Sequence, residues 1–165
     1  MQKKLSVGSE KYADPNFFKS LDKSEVARHI IAKRLIEKGY EVEVPELKVT
    51  PGWKERLAYS DNGDLFLLQD GKRERIEVKH WPKINFTSKE DIRYDNIIVN
   101  AVNSWDNADI KPSVHYILNA NYTHVIIIDS RTREHWYRAR TYDSRKKQDR
   151  SFYFCPKKYI NVKKL

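Results

Sequence analysis

Gly63-Asp64-Leu65-Phe66-Leu67-Leu68-Gln69-Asp70-Gly71-Lys72-Arg73-Glu74-Arg75-Ile76-Glu77-Val78-Lys79 reads as two strands hinged on one turn dipeptide. Asp-Gly favours a two-residue hairpin loop, because both central residues of that turn take positive φ. The turn sets the register: Gln69 faces Lys72, Leu68 faces Arg73, and so outward until Asp64 faces Glu77. Strand side chains alternate, so Lys79 shares the face of the two acids while Ile76 and Val78 point to the other. A three-residue loop or a bulge would shift every pair by one.

Carboxylates directly opposed on a sheet sit about 4.5–5.5 Å apart at Cβ and repel. A hard divalent cation with oxygen ligands, Mg²⁺ or Mn²⁺, offsets that repulsion, and it polarises a phosphoryl oxygen and activates a water. Lys79 beside it is placed to orient the water or to stabilise transition-state charge. The alternative is a solvent-facing edge on which Lys79 screens the two acids. An acid two residues before a lysine occurs four times, at Glu46-Leu47-Lys48, Asp70-Gly71-Lys72, Glu77-Val78-Lys79 and Asp109-Ile110-Lys111. Of these, Glu77-Val78-Lys79 alone lies in an apolar strand with an acid set opposite it by a turn.

Outward from the hairpin, Leu65 to Leu68 is apolar on both faces, which predicts a central sheet covered on both sides and an α/β or α+β architecture. Upstream, Val26, Ala27, Ile30, Ile31 and Leu35 recur at helical spacing, with Asp22 or Ser24 as the cap and Gly39 at the C-terminal stop. Phe17 and Phe18 are expected to anchor the N-terminal arm. Tyr40 to Val44 alternates as a strand does, and a further strand is expected after Arg56, closed by the turn Asp61-Asn62-Gly63. Downstream, Ile97 to Val102, His115 to Leu118 and His124 to Asp129 read as strands, and Ser88 to Asp95 as a helix candidate.

The 165 residues form one expected domain, 1–165, with 39% hydrophobic and 33% charged residues and a net charge of +9. The segment 131–165 holds twelve Lys or Arg against three acids, so it carries the whole surplus. Clustered cations point to a polyanionic partner, nucleic acid, through counterion release, although a solvated basic face has the same composition. Arg133, Arg138, Arg140, Lys146 and Lys147 are the expected phosphate contacts. Aromatic residues interleave them, and either stack on bases or, as favoured for Phe152 and Phe154, pack a final strand.

Cys155 is the only cysteine, so there is no intramolecular disulfide or cysteine-based zinc cage. No apolar leader and no run of spanning length stands out, and a cytoplasmic, intracellular protein without membrane insertion is the expectation. The five histidines lack metal-ligand spacing, and there is no phosphate-binding glycine loop or nucleophile elbow. NTPase and serine hydrolase chemistry are thereby disfavoured.

Glu25 early in a helix, Gly63-Asp64-Leu65 opening a strand and Ile76-Glu77-Val78-Lys79 after a short hairpin resemble the PD-(D/E)XK nuclease superfamily over roughly residues 22–81. Gly63 stands where the motif's name has proline. The resemblance implies a restriction-endonuclease-like core of helix, three-stranded meander, helix and strand, with a central mixed sheet flanked by helices. It implies Mg²⁺ held by Asp64, Glu77 and the backbone carbonyl of Val78, and a supporting role for Glu25. From position alone, Glu25 equally suits the acid of a capping box begun at Asp22. The expected function is Mg²⁺-dependent phosphodiester hydrolysis, on DNA rather than RNA, with catalytic residues Glu25, Asp64, Glu77 and Lys79. A non-catalytic nucleic-acid-binding module and an RNA endonuclease of the same fold are the rivals. Homodimerisation is expected only by analogy with small nucleases.

Overall fold

The computed structural model describes residues 12–13, 15–16, 18–20, 23–45, 65–144 and 146–165. Phe17, Asp22, the strand after Arg56, the turn at 61–63 and Asp64 therefore lie outside the described residues. Helix α1, Lys23–Glu37, buries Ala27, Ile31, Ala32 and Leu35 along one stripe. It stops at Gly39, whose φ of 93° suits glycine. There Tyr40 N–H donates to the Leu35 carbonyl (3.0 Å) and Gly39 N–H to the Ile36 carbonyl (2.9 Å), a Schellman closure.

Strand β1, Glu41–Glu43, occupies the middle of the alternating stretch, with Val42 buried between two exposed glutamates. It pairs antiparallel with β2, Leu65–Gln69, which turns directly into β3, Lys72–His80. Asp70 (φ 51°) and Gly71 (φ 73°) form the two-residue turn, and the pairs run Gln69 with Lys72 through to Leu65 with Ile76. For those five pairs the register is the one the dipeptide predicts. The next position outward is Asp64, beyond the described residues.

The meander continues into a six-stranded mixed sheet, ordered β1-β2-β3-β5-β6-β9. Strand β5 (Val114–Leu118) runs parallel to β3, whereas β6 (His124–Asp129) and β9 (Asn161–Lys164) add antiparallel. A second, three-stranded antiparallel sheet is built from β4 (Asn96–Ala101), β8 (Gln148–Pro156) and β7 (Tyr137–Asp143), in that order.

Each face of the large sheet buries its own cluster. Leu65, Leu67, Ile76, Leu118 and Val125 pack with α1, while Ile117, Ile126 and Ile128 pack with Ile97, Val99, Tyr153 and Cys155 of the second sheet. The class is mixed α and β, and the expectation of helices on both faces needs correction, because a sheet covers the second face. Helix α2, Val102–Asp106, has only five residues and begins at the residue where the strand expected from Ile97 was to end. Residues 88–95 form no helix. Thr87 donates its backbone N–H (2.9 Å) and its hydroxyl (2.7 Å) to the Asp91 carboxylate, a local bond that competes with helical backbone pairing, and Phe86 and Ile92 are buried on either side. None of the described helices is long and apolar enough to cross a membrane.

Candidate active site

Alternation along β3 sends Ile76 and Val78 toward α1 and turns Glu77 and Lys79 toward the second sheet. Glu77 has only 15% of its side chain exposed. Its Oε2 accepts a hydrogen bond from Asn100 Nδ2 on β4 (3.0 Å), and its Oε1 lies 3.7 Å from Lys79 Nζ. The Lys79 ammonium also donates to the Val99 carbonyl at the irregularity in β4, where the ladder to β8 shifts register. The two charges are thus held by the sheet ladder on one side and by β4 on the other.

His115 completes the surroundings. It is the register partner of Glu77 across the parallel β3–β5 pair, and its Nε2 lies 3.6 Å from Glu77 Oε2. The ring is wholly buried against Trp105 and Trp136, with centroids 6.0 and 6.1 Å away, and neither ring nitrogen has a hydrogen-bond partner. Burial pushes the His115 pKa down, so at neutral pH it presents an uncharged imidazole. For Glu77, burial is the largest single influence and pushes the pKa up. The Lys79 charge, His115 and Arg75 together outweigh it and hold the carboxyl at about 2, so the group is ionised at neutral pH.

Glu77, Lys79 and Asn100 open into a groove of about 890 Å³. One wall is the end of β3 from Glu77 to His80 with Trp81 and Pro82; the other comes from β4, Ser104 of α2 and the β7–β8 hairpin. Asp143, nearly buried, lines the hairpin side and pairs with Arg150 (2.9 Å).

The expected site residues divide. Glu77 and Lys79 come together in the groove, and Val78, between them on β3, faces the α1 cluster with its side chain. Asp64 lies outside the described residues. Glu25 sits in the first turn of α1, in the opposite layer, with its carboxylate 2.8 Å from Arg28 Nη2 and 3.4 Å from His29 Nε2. It does not line the groove.

None of the five expected phosphate contacts lines the groove either. Arg133 lies over the Tyr153 ring at 4.5 Å, Arg138 and Arg140 alternate to the face of β7 opposite Thr141 and Asp143, and Lys146 and Lys147 are exposed in the β7–β8 turn. Among the described residues, the Lys and Arg side chains lining the groove are Lys79 and Arg150. Sequence reasoning missed Asn100, His115, Asp143 and Arg150. The one local signal was a histidine inside the apolar run Val114-His115-Tyr116-Ile117-Leu118.

No group of three or more acidic, histidine or cysteine side chains suited to a metal occurs among the described residues. What is present is one ionised, oriented carboxylate, a hard oxygen donor of the kind Mg²⁺ or Mn²⁺ takes. Comparison of the chain with models of protein families, with curated proteins and with solved structures gave no match.

Proposed function

We propose that this chain is a metal-dependent nuclease of the PD-(D/E)XK type that hydrolyses phosphodiester bonds in nucleic acid, DNA in preference to RNA. The observation that carries it is Glu77, an ionised, nearly buried carboxylate fixed by Asn100 and Lys79 at the wall of an open groove. It stands one step beyond a hairpin whose register holds as far as Leu65 and Ile76, so Asp64 is its partner if the pairing continues. The order helix, three-stranded meander, short helix and parallel strand also supports the reading, with β4 inserted before α2.

Glu77 and Asp64 would hold the metal, with the Val78 carbonyl as a further oxygen donor. A bound Mg²⁺ or Mn²⁺ supplies Lewis acidity at the phosphoryl oxygen and lowers the pKa of a coordinated water. Lys79 keeps Glu77 ionised and offers its ammonium protons to the attacking water or to the phosphoryl oxygens as charge develops. Water adds to phosphorus, one P–O bond breaks, and the leaving oxygen takes up a proton. Asn100 holds the Glu77 carboxylate in one orientation.

The rival is a nucleic-acid-binding module without catalysis, favoured by the Lys79 bond to the Val99 carbonyl, which ties that ammonium to the fold. Circular single-stranded, circular double-stranded and linear DNA, each incubated with and without Mg²⁺, separate the two. The nuclease cuts at least one of them only with Mg²⁺, and Glu77→Ala or Lys79→Ala removes that cutting. Salt-sensitive binding with no cleavage of any substrate identifies the rival, and cleavage unchanged by both substitutions removes Glu77 and Lys79 from the site.

A further inference from the structure

Asn100 is a polar side chain at a buried strand position, where the apolar neighbours of β4 would suit a branched hydrophobe. An irregularity in the strand brings it there. The ladder to β8 passes from Ile98 with Phe154 directly to Asn100 with Tyr153, so Val99 is the extra residue of a bulge. The Val99 carbonyl accepts from Lys79, and the next side chain along, Asn100, meets Glu77. One bulge therefore engages both members of the charged pair.

A buried amide costs free energy unless its polar ends find partners. An ionised carboxylate only accepts, so the end 3.0 Å from Glu77 Oε2 is the Nδ2 amine, which fixes how the amide is turned. Oδ1 is left over. Among the described residues it has no hydrogen-bond partner, yet it is not sealed from solvent, so it opens into the groove that Asn100 lines. Glu77 Oε1, 3.7 Å from Lys79 Nζ, makes no hydrogen bond among the described residues either. Two oxygens with spare lone pairs thus stand on the two partners of one hydrogen bond.

We infer that Asn100 is a metal-site residue whose Oδ1 supplies a neutral oxygen to the divalent cation that Glu77 holds. The inference rests on Glu77 as a metal-site residue, proposed above. Hard cations take side-chain amide oxygens beside carboxylates. An amide adds such a donor without a second charge to repel Glu77, while its N–H keeps the carboxylate in place. The donors come from different layers, Glu77 from the large sheet and Asn100 from the small one, so the site lies where the two meet at the groove wall.

The test is calorimetric titration of Mn²⁺ into the full chain and its Asn100 variants, each checked for folding by circular dichroism. Asn100→Ala should lower the affinity about tenfold. Asn100→Asp keeps an oxygen at the position and adds a charge, and should bind at least as tightly as wild type. Asn100→Cys offers a soft thiolate instead, and Cd²⁺ should then raise an ultraviolet thiolate-to-metal absorption that the wild-type chain, with Cys155 buried, does not give. Unchanged Mn²⁺ affinity in Asn100→Ala, or a folded Asn100→Cys without that absorption, overturns the inference and leaves Glu77 as a ligand intact. Asn100→Asp weakened as much as Asn100→Ala also overturns it, because the amide then acts only through its bond to Glu77. No Mn²⁺ binding by the wild-type chain overturns both this inference and the metal-dependent reading.

Discussion

Glu77 and His115 stand side by side across the only parallel strand pair of the large sheet among the described residues, 3.6 Å apart, one ionised and the other uncharged and without a hydrogen-bond partner. A buried polar ring without a hydrogen-bond partner costs about 1–3 kcal/mol. His115→Leu, of similar bulk, should therefore leave thermal stability unchanged or raise it. The same substitution removes the ring nitrogen 3.6 Å from the Glu77 carboxylate and should reduce Mg²⁺-dependent cleavage about tenfold. A drop in stability without loss of cleavage contradicts this role.

The depressed Glu77 pKa makes folding pH-dependent in a definite direction. Its ordinary value is 4.5 and its folded value about 2, so the folded state binds its proton less readily than the unfolded state. The stabilisation is full above pH 4.5 and is lost as pH falls through the folded value. It amounts to up to about 3 kcal/mol. Denaturant unfolding of the metal-free protein between pH 5 and pH 2 should show this loss, and Glu77→Gln should flatten that part of the profile.

Gly71 tests the turn apart from the site. A Cβ there meets nothing within 4 Å, so Gly71→Ala costs only the strain of a φ of +73°. Destabilisation of about 1 kcal/mol is expected in urea unfolding, with cleavage unchanged. A loss well above that shows that the turn has left its two-residue form.

Arg150 and Arg138 separate groove cations from surface cations. Arg150→Ala removes the guanidinium that donates to the nearly buried Asp143 at 2.9 Å and should cost about 1–3 kcal/mol, measured by thermal unfolding, besides weakening nucleic-acid binding. Arg138→Ala, on the exposed face of β7, should leave stability unchanged and only reduce the salt dependence of binding.

The parts of the fold legible in the sequence are those set by neighbours in the chain. Asp70-Gly71 fixes five cross-strand pairs because the turn geometry admits one register, and Gly39 marks the end of α1 because its left-handed cap needs a glycine. The second sheet was not legible as a layer. Its strands are apolar enough to recognise, but β4 meets β8 across more than 40 intervening residues, and no local signal encodes that pairing. The same holds for the site. Glu77 and Lys79 follow from the hairpin, whereas Asn100 and His115 reach Glu77 only through β4 and the crossover to β5. The basic segment was visible as composition, yet alternation on β7 turns Arg138 and Arg140 away from Thr141 and Asp143 in the groove, and Arg150 was hidden among its neighbours.

The metal site stands or falls with the pairing of Asp64 and Glu77, and calorimetric titration of Mn²⁺ into the wild-type chain, Asp64→Ala, Glu77→Ala and the double variant measures it without recourse to activity. If the two carboxylates share one ion, each single substitution lowers Mn²⁺ affinity at least tenfold and the double variant loses little more. Wild-type affinity in Asp64→Ala, or independent losses that simply add, contradicts a shared site.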